Sequence, residues 1–313
     1  CISTIIFSQM GKIALQLSPV VRPDFIVEFI KMIIWIASYP KSGNTWVRSL
    51  LGSYLYSDNG IFNFDLLKKI QQFPSKQYFK FFLKDLTDIK KISDHWIAAQ
   101  DRINLFNNDI TFLKTHSALC TLENNSFTNR NNTKAAIYVV RDPRNLITSF
   151  AHHYSLDIDQ AFDFIKDKSQ MLLTNEYGQG DFGIATILGN WSEHYKSWKN
   201  LKFAPILVIK YEDLIKDTKN TFVSILNFLS TLMDIKIDEK KIINTVDSCS
   251  FEKLAKKEKT EGFFEAATSK KNQKKLNFFY LGQKNNWQNL LNTEMEQKTR
   301  EAFQKEMKEL GYI

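Results

Sequence analysis

Cysteine is scarce in this chain, with three residues in 313, at Cys1, Cys120 and Cys249. No CxxC pair occurs, and the spacing outlines neither a disulfide framework nor a zinc site, so a reducing, cytoplasmic setting is the default expectation. No HExxH and no run of His, Asp and Glu at ligand spacing suggests a metal. Long apolar runs are missing too, none approaching the ~20 residues that a membrane span requires. No linker rich in Pro, Gly or Ser, no internal repeat and no low-complexity tract marks a domain boundary, which favours one domain. RNP-like and zinc-finger motifs are absent, which argues against nucleic acid as the partner.

What is present describes a globular chain, 43% hydrophobic and 13% aromatic. Its formal charge of +8 favours an anionic partner without distinguishing nucleic acid, membrane and nucleotide. Residues 1–31 begin without Met and are interrupted by Pro19 and Pro23. They read as an N-terminal extension outside the core, with residues 32–313 forming the domain.

From residue 33 one theme repeats. Residues 33–37, 110–113, 135–140 and 206–209 are short apolar runs of the kind found in parallel strands buried on both faces. Helical patterns separate them. Val47, Leu50, Leu51 and Tyr54 share one face of a segment from Asn44 to Tyr56, and Leu146, Ile147, Phe150 and Tyr154 share one face of a segment opened by Pro143. Later helices are expected over 220–229, 239–246 and 293–310. Strand alternating with helix gives an α/β fold with a parallel sheet.

In such sheets ligands bind beyond the carboxyl ends of the strands. Three strand ends carry unusual chemistry. After the first comes Tyr39-Pro40-Lys41-Ser42-Gly43-Asn44-Thr45-Trp46, where Gly43 permits close backbone approach and Lys41, Ser42 and Thr45 add donors suited to phosphate oxygens. It is not a GxxxxGK[ST] loop. After the second comes Lys114-Thr115-His116, and after the third Arg141-Asp142-Pro143-Arg144, with Ser149 on the following helix.

These segments, in this order, resemble a sulfotransferase of the cytosolic type, in a bacterial-like variant. YPKSGNTW resembles the family's 5′-phosphosulfate loop, FLKTHSAL its Lys-x-His segment, VVRDPRNLITSF its 3′-phosphate segment, and VIKYEDL the strand and turn that follow. GNWSEHYKSW and the closing stretch from Trp287 to Tyr312 are similar to the family pattern as well. The resemblance implies a P-loop-like three-layer α/β/α fold with a central parallel sheet. It implies 3′-phosphoadenosine 5′-phosphosulfate (PAPS) as co-substrate, no metal, and sulfuryl transfer to a hydroxyl or amine of a small-molecule acceptor.

Carried over residue by residue, the resemblance places Lys41, Ser42, Gly43, Asn44 and Thr45 on the 5′-phosphosulfate, and Trp46 and Tyr211 near the adenine. Arg141 and Ser149 fall on the 3′-phosphate, Cys249 and Phe251 beside the base, and Gly282 in the late loop. The residue types fit the chemistry. An alcohol is a poor nucleophile at neutral pH, so His116 is the candidate general base. Lys41 and Lys114 are placed to stabilise charge on the departing phosphate. His152 and His153 are assigned to structure or to the acceptor wall.

One departure is evident. Where the family carries Arg-Lys-Gly, two residues and Gly-Asp-Trp-Lys, this chain has Tyr280-Leu281-Gly282-Gln283-Lys284-Asn285-Asn286-Trp287-Gln288. Lys274, Lys275 and Lys284 are the candidates to replace the missing basic pair. The acceptor pocket is expected from residues 73–96 and 154–182, with Phe73, Phe79, Phe81 and Phe82 forming either an apolar wall or core. Two other classes stay open: a P-loop nucleotide kinase, and a non-catalytic nucleotide binder.

Overall fold

The computed structural model describes residues 32–106, 110–172, 184–268 and 274–313. Residues 1–31, the expected extension, lie outside the described residues, as does the part of the expected acceptor segment after Leu172.

Five strands form one parallel sheet: β1 (Ile33–Ser38), β2 (Gln71–Gln72), β3 (Thr111–Thr115), β4 (Thr133–Val140) and β5 (Ile206–Lys210). Their spatial order is β2-β3-β1-β4-β5. Strand β1 is central and wholly buried because successive side chains serve opposite layers. Ile33, Trp35 and Ala37 join one core, with Tyr138, Trp198 and Phe303. Ile34 and Ile36 join the other, with Val47, Leu50, Ile137 and Phe222. Two apolar layers on one sheet produce the three-layer α/β/α arrangement that the sequence leads one to expect.

Helix α1 (Asn44–Tyr56) follows β1, and α2 (Pro143–Tyr154) follows β4, each with its expected starting residue. Further along are α3 (Trp191–Lys199), α4 (Phe251–Glu261) and α5 (Thr293–Glu309). Strand β3 runs two residues beyond the apolar stretch because its parallel ladder with β1 continues to the Ala37–Thr115 pair. Lys114 and Thr115 are therefore strand residues, held by backbone hydrogen bonds beyond the point where the sequence pattern ends the strand. The edge strand β2 has no apolar run to announce it.

Since β3 and β4 flank β1 on opposite sides, the chain diverges at the carboxyl end of β1. That is a topological switch point, where open α/β sheets present a crevice.

Candidate active site

The crevice is a cavity of about 790 Å³, of the size that holds a small-molecule ligand. Its first wall is the loop after β1. Lys41 and Gly43 both take positive φ, 66° and 104°, and this left-handed path turns the chain from strand into α1. Gly43 is required twice over, because a Cβ there would also sit 2.4 Å from Cδ2 of the Tyr211 ring. Gly43 caps α1 without any side-chain hydrogen bond, whereas Asp142 caps α2 by accepting from the Arg144 amide. Trp46 N donates to Gly43 O at 3.0 Å, whereas the Asn44 and Thr45 backbone amides have no acceptor among the described residues, an arrangement that suits an anion. Asn44 locks the loop by donating from Nδ2 to Ile36 O at 2.9 Å and to Ser38 Oγ at 3.2 Å.

The second wall is the end of β3. His116 is buried, and its Nδ1 lies 2.9 Å from Ser38 O. A carbonyl only accepts, so Nδ1 carries the proton and Nε2 is the ring's acceptor. Burial, and next the Lys114 charge, lower its pKa to about 3. Behind it His194 donates from Nε2 to His116 O at 3.0 Å and accepts from the Tyr138 hydroxyl at 2.8 Å.

Arg141 ends β4. Its Nη1 donates to Lys41 O at 3.0 Å, its guanidinium stacks 4.2 Å from the Tyr211 ring, and its buried Nε has no partner. Lys41 lies 3.9 Å from the Phe278 ring centroid. Burial, then the Arg141 charge, lower the Lys41 pKa to about 7. The Phe278 and Phe279 amides donate to Glu258 of α4 at 2.6 and 2.9 Å, which fixes the aromatic pair above the lysine.

Of the residues singled out from sequence, Lys41, Gly43, Asn44, Thr45, Trp46, Lys114, His116, Arg141, Ser149, Tyr211, Phe251 and Gly282 all line this cavity. Ser42 does not; it is fully buried, with its hydroxyl unpartnered. Cys249 is also buried, with its thiol 3.4 Å from Ser53 Oγ and away from the cavity lining. Gly282 is in place because a Cβ there would meet Phe251 at 2.6 Å. Lys275 and Lys284 are exposed and stand outside the lining. Phe73 and Phe79 are core, and Phe81 and Phe82 are exposed. None of these four lines the cavity, whereas Tyr154, Leu172, His152 and His153 do.

Sequence reasoning missed Glu265 and Arg48. Glu265 lines the cavity, accepts from Arg48 Nη1 at 2.6 Å and from Thr45 Oγ1 at 3.0 Å, and has Lys114 Nζ at 3.9 Å. Burial alone would raise its carboxyl, but Arg48 and Lys114 outweigh that and hold it at about 2. Arg48 could have been found, since it lies one helical turn beyond Thr45 on α1. Nothing local signals Glu265.

A profile of the sulfotransferase domain matches residues 32–311. The chain belongs to the sulfotransferase family. It is accordingly a transferase of the PAPS-dependent class. Luciferin sulfotransferase of Photinus pyralis is 25% identical over 230 residues, a match covering 71% of this chain and 56% of that protein. Flavonol 3-sulfotransferase of Flaveria bidentis is 24% identical over 288 residues, covering 90% and 83% of the two chains. Among solved structures, a mouse sulfotransferase complexed with PAP superimposes with a TM-score of 0.57 at 20% identity, covering 88% of this sulfotransferase and 85% of that chain. Retinol dehydratase complexed with retinol and PAP gives 0.53 at 18% identity, covering 88% and 81%. Both share the fold of this sulfotransferase.

Proposed function

We propose that the protein transfers the sulfuryl group of PAPS to a hydroxyl, or an amine, of a small-molecule acceptor, with His116 as general base and Lys41 and Lys114 stabilising the departing phosphate. The observation that carries this reading is that Lys41, Lys114, His116 and Arg141, from three different strand ends, line one cavity. The donor set suits the nucleotide: the Asn44 and Thr45 backbone amides at the start of α1, the unpartnered Arg141 Nε, and Ser149 beside them. Trp46, Tyr211 and Phe251 supply aromatic surface for a base. Asn44 holds the loop's shape. The few scattered cysteines, with Cys120 and Cys249 as free thiols, accord with a cytoplasmic setting.

In this scheme the acceptor oxygen forms its bond to sulfur as the bond from sulfur to the phosphate oxygen breaks. The acceptor proton passes to His116 Nε2. The imidazole is neutral in the free enzyme, and the negative charge of a bound donor offsets Lys114 and raises the ring's basicity. Lys41, partly neutral when the site is free, becomes a full cation beside an anion and acts where negative charge develops. The amine sulfotransferase of Oryctolagus cuniculus, 22% identical over 281 residues, keeps amines among the acceptors to test.

The test is incubation with PAPS and a panel of phenols, alcohols, sterols and amines, scoring sulfated product and PAP together. Product with at least one acceptor class supports the proposal. Tight PAP binding with no product across the panel would instead favour the non-catalytic nucleotide binder.

A further inference from the structure

The cavity that is built for an anion already contains one. Glu265 follows α4 in a turn closed by the Ala266 amide on Phe263 O at 3.2 Å, and its side chain is 8% exposed. Its two oxygens engage three groups that line or flank the donor site: Arg48 at 2.6 Å, Thr45 at 3.0 Å and Lys114 at 3.9 Å. A threonine hydroxyl has one proton, and that of Thr45 goes to Glu265 Oε2. Towards an incoming phosphate or sulfate oxygen Thr45 then offers only lone pairs. Lys114 is likewise drawn to a charge of the same sign as the ligand's. The Thr45 hydroxyl cannot donate to the donor while Glu265 stays.

We propose that the Glu265 carboxylate occupies, in the free enzyme, a position that an oxygen of the donor's 5′-phosphosulfate takes in the complex, and that donor binding displaces it from Thr45 and Lys114. This rests on the donor reading given above. The carboxylate offsets the mutual repulsion of buried Arg48, Lys114 and Lys41 while the site is free. Removing it should stabilise the complex and destabilise the free protein, as expected where a site is arranged for function and not for stability.

Calorimetry of PAP and of adenosine 5′-phosphate on the wild-type protein and on Glu265→Gln tests it, together with the melting temperature of each free protein. The expected result is that the variant binds PAP about ten-fold more tightly or better, as when a like charge is removed from beside a bound anion, while melting lower without ligand. A residue that merely supports Arg48 and Thr45 would weaken both, so equal or weaker PAP binding by the folded variant overturns the proposal. If the variant does not fold, crystals of the wild-type protein with PAP decide. Glu265 released from Thr45 supports the displacement, and Glu265 still bonded to Thr45 beside bound PAP overturns it. Failure of the donor reading shows separately, as a wild-type protein with no preference for PAP over adenosine 5′-phosphate, and removes the basis of this proposal.

Discussion

His116 Nδ1 lies 2.9 Å from the backbone oxygen of Ser38, the last residue of the neighbouring strand. This contact fixes which ring nitrogen bears the proton, and it does so through backbone that is itself fixed by the parallel ladder of β1 and β3. The His116 ring is therefore oriented by the sheet and not by a carboxylate partner. Its low pKa, set by burial and then by Lys114, keeps the ring unprotonated throughout the neutral range.

In the proposed mechanism, replacing His116 by Ala removes the acceptor for the alcohol's proton but no group assigned to the nucleotide. Turnover should fall by roughly 10² to 10⁴, the range for loss of a general base, with PAP affinity changed little. Titration calorimetry beside a transfer assay checks this. Loss of PAP binding by a folded variant would make His116 a binding residue.

The order of elements was legible because hydrophobic pattern is local. The run Ile33 to Ala37 and the face shared by Val47, Leu50 and Leu51 needed only near neighbours to be read. The sequence pattern ends the second strand before Lys114, because the strand character of Lys114 comes from pairing with β1, which no local pattern reports. Glu265 was illegible for the same reason in stronger form, since 217 residues separate it from Arg48. The late loop is intermediate. Gly282 stood out as a glycine in a motif, but the ring it must avoid, Phe251, is known only from the fold. The exposure of Phe81 beside the burial of Phe79 shows the limit for aromatics, whose apolar character is equal and whose environment is not.

PAP affinity should depend on pH through Lys41. Its pKa is lowered to about 7 by burial first and Arg141 next, with Lys114 adding and Glu265 and Glu258 opposing. A bound phosphate raises it again, so binding takes up a proton whenever Lys41 is neutral beforehand. Affinity should be level just below pH 7 and fall as pH rises above it, by up to about ten-fold per unit for one proton. Lys41→Arg keeps the cation at every pH and should flatten the profile, as should Lys41→Ala at lower affinity. A wild-type profile that stays level from about pH 7 to 9 contradicts the assignment.

Acid should unfold this protein earlier than its carboxylates alone require. His116, His153 and His194 are lowered to about 3, 2 and 3, in each case by burial first. A histidine held below its unfolded pKa contributes stability that is present above about pH 6.5 and lost as pH falls towards the folded value, because only the unfolded chain takes up the proton. Each imidazole then removes about 1.4 kcal/mol per pH unit between those limits. Glu265, held at about 2, adds its own loss only below the ordinary glutamate range. Denaturant midpoints measured from pH 7 to 4 should fall steeply from about 6.5 downward, and His194→Gln should lessen the slope. A midpoint level down to pH 5 would show that these rings are not buried neutral.

The departure at Tyr280 and Leu281 directs the last expectation to Arg141. Tyr280 stacks on His152 with ring centroids 3.6 Å apart, so the place of the family's arginine is filled by a neutral ring held against a partner. Below it the Gly282–Trp287 stretch is tied to α2, with Asn285 Nδ2 on Asn145 O at 2.8 Å and the Trp287 amide on Asn145 Oδ1 at 2.8 Å. Lys284 is exposed and outside the cavity. Preference for a 3′-phosphate should therefore rest on Arg141 and Ser149, the guanidinium offering paired donors that match phosphate oxygens. Arg141→Ala should weaken PAP by roughly 1.5 to 3 kcal/mol, about one to two orders of magnitude, and weaken adenosine 5′-phosphate less. Arg141→Lys should recover only part of the loss, since it restores charge without the fork. Lys284→Ala should bind both nucleotides as the wild-type protein does. If instead Lys284→Ala loses the preference and Arg141→Ala keeps it, the 3′-phosphate is held by the late loop and Arg141 serves only to brace Lys41.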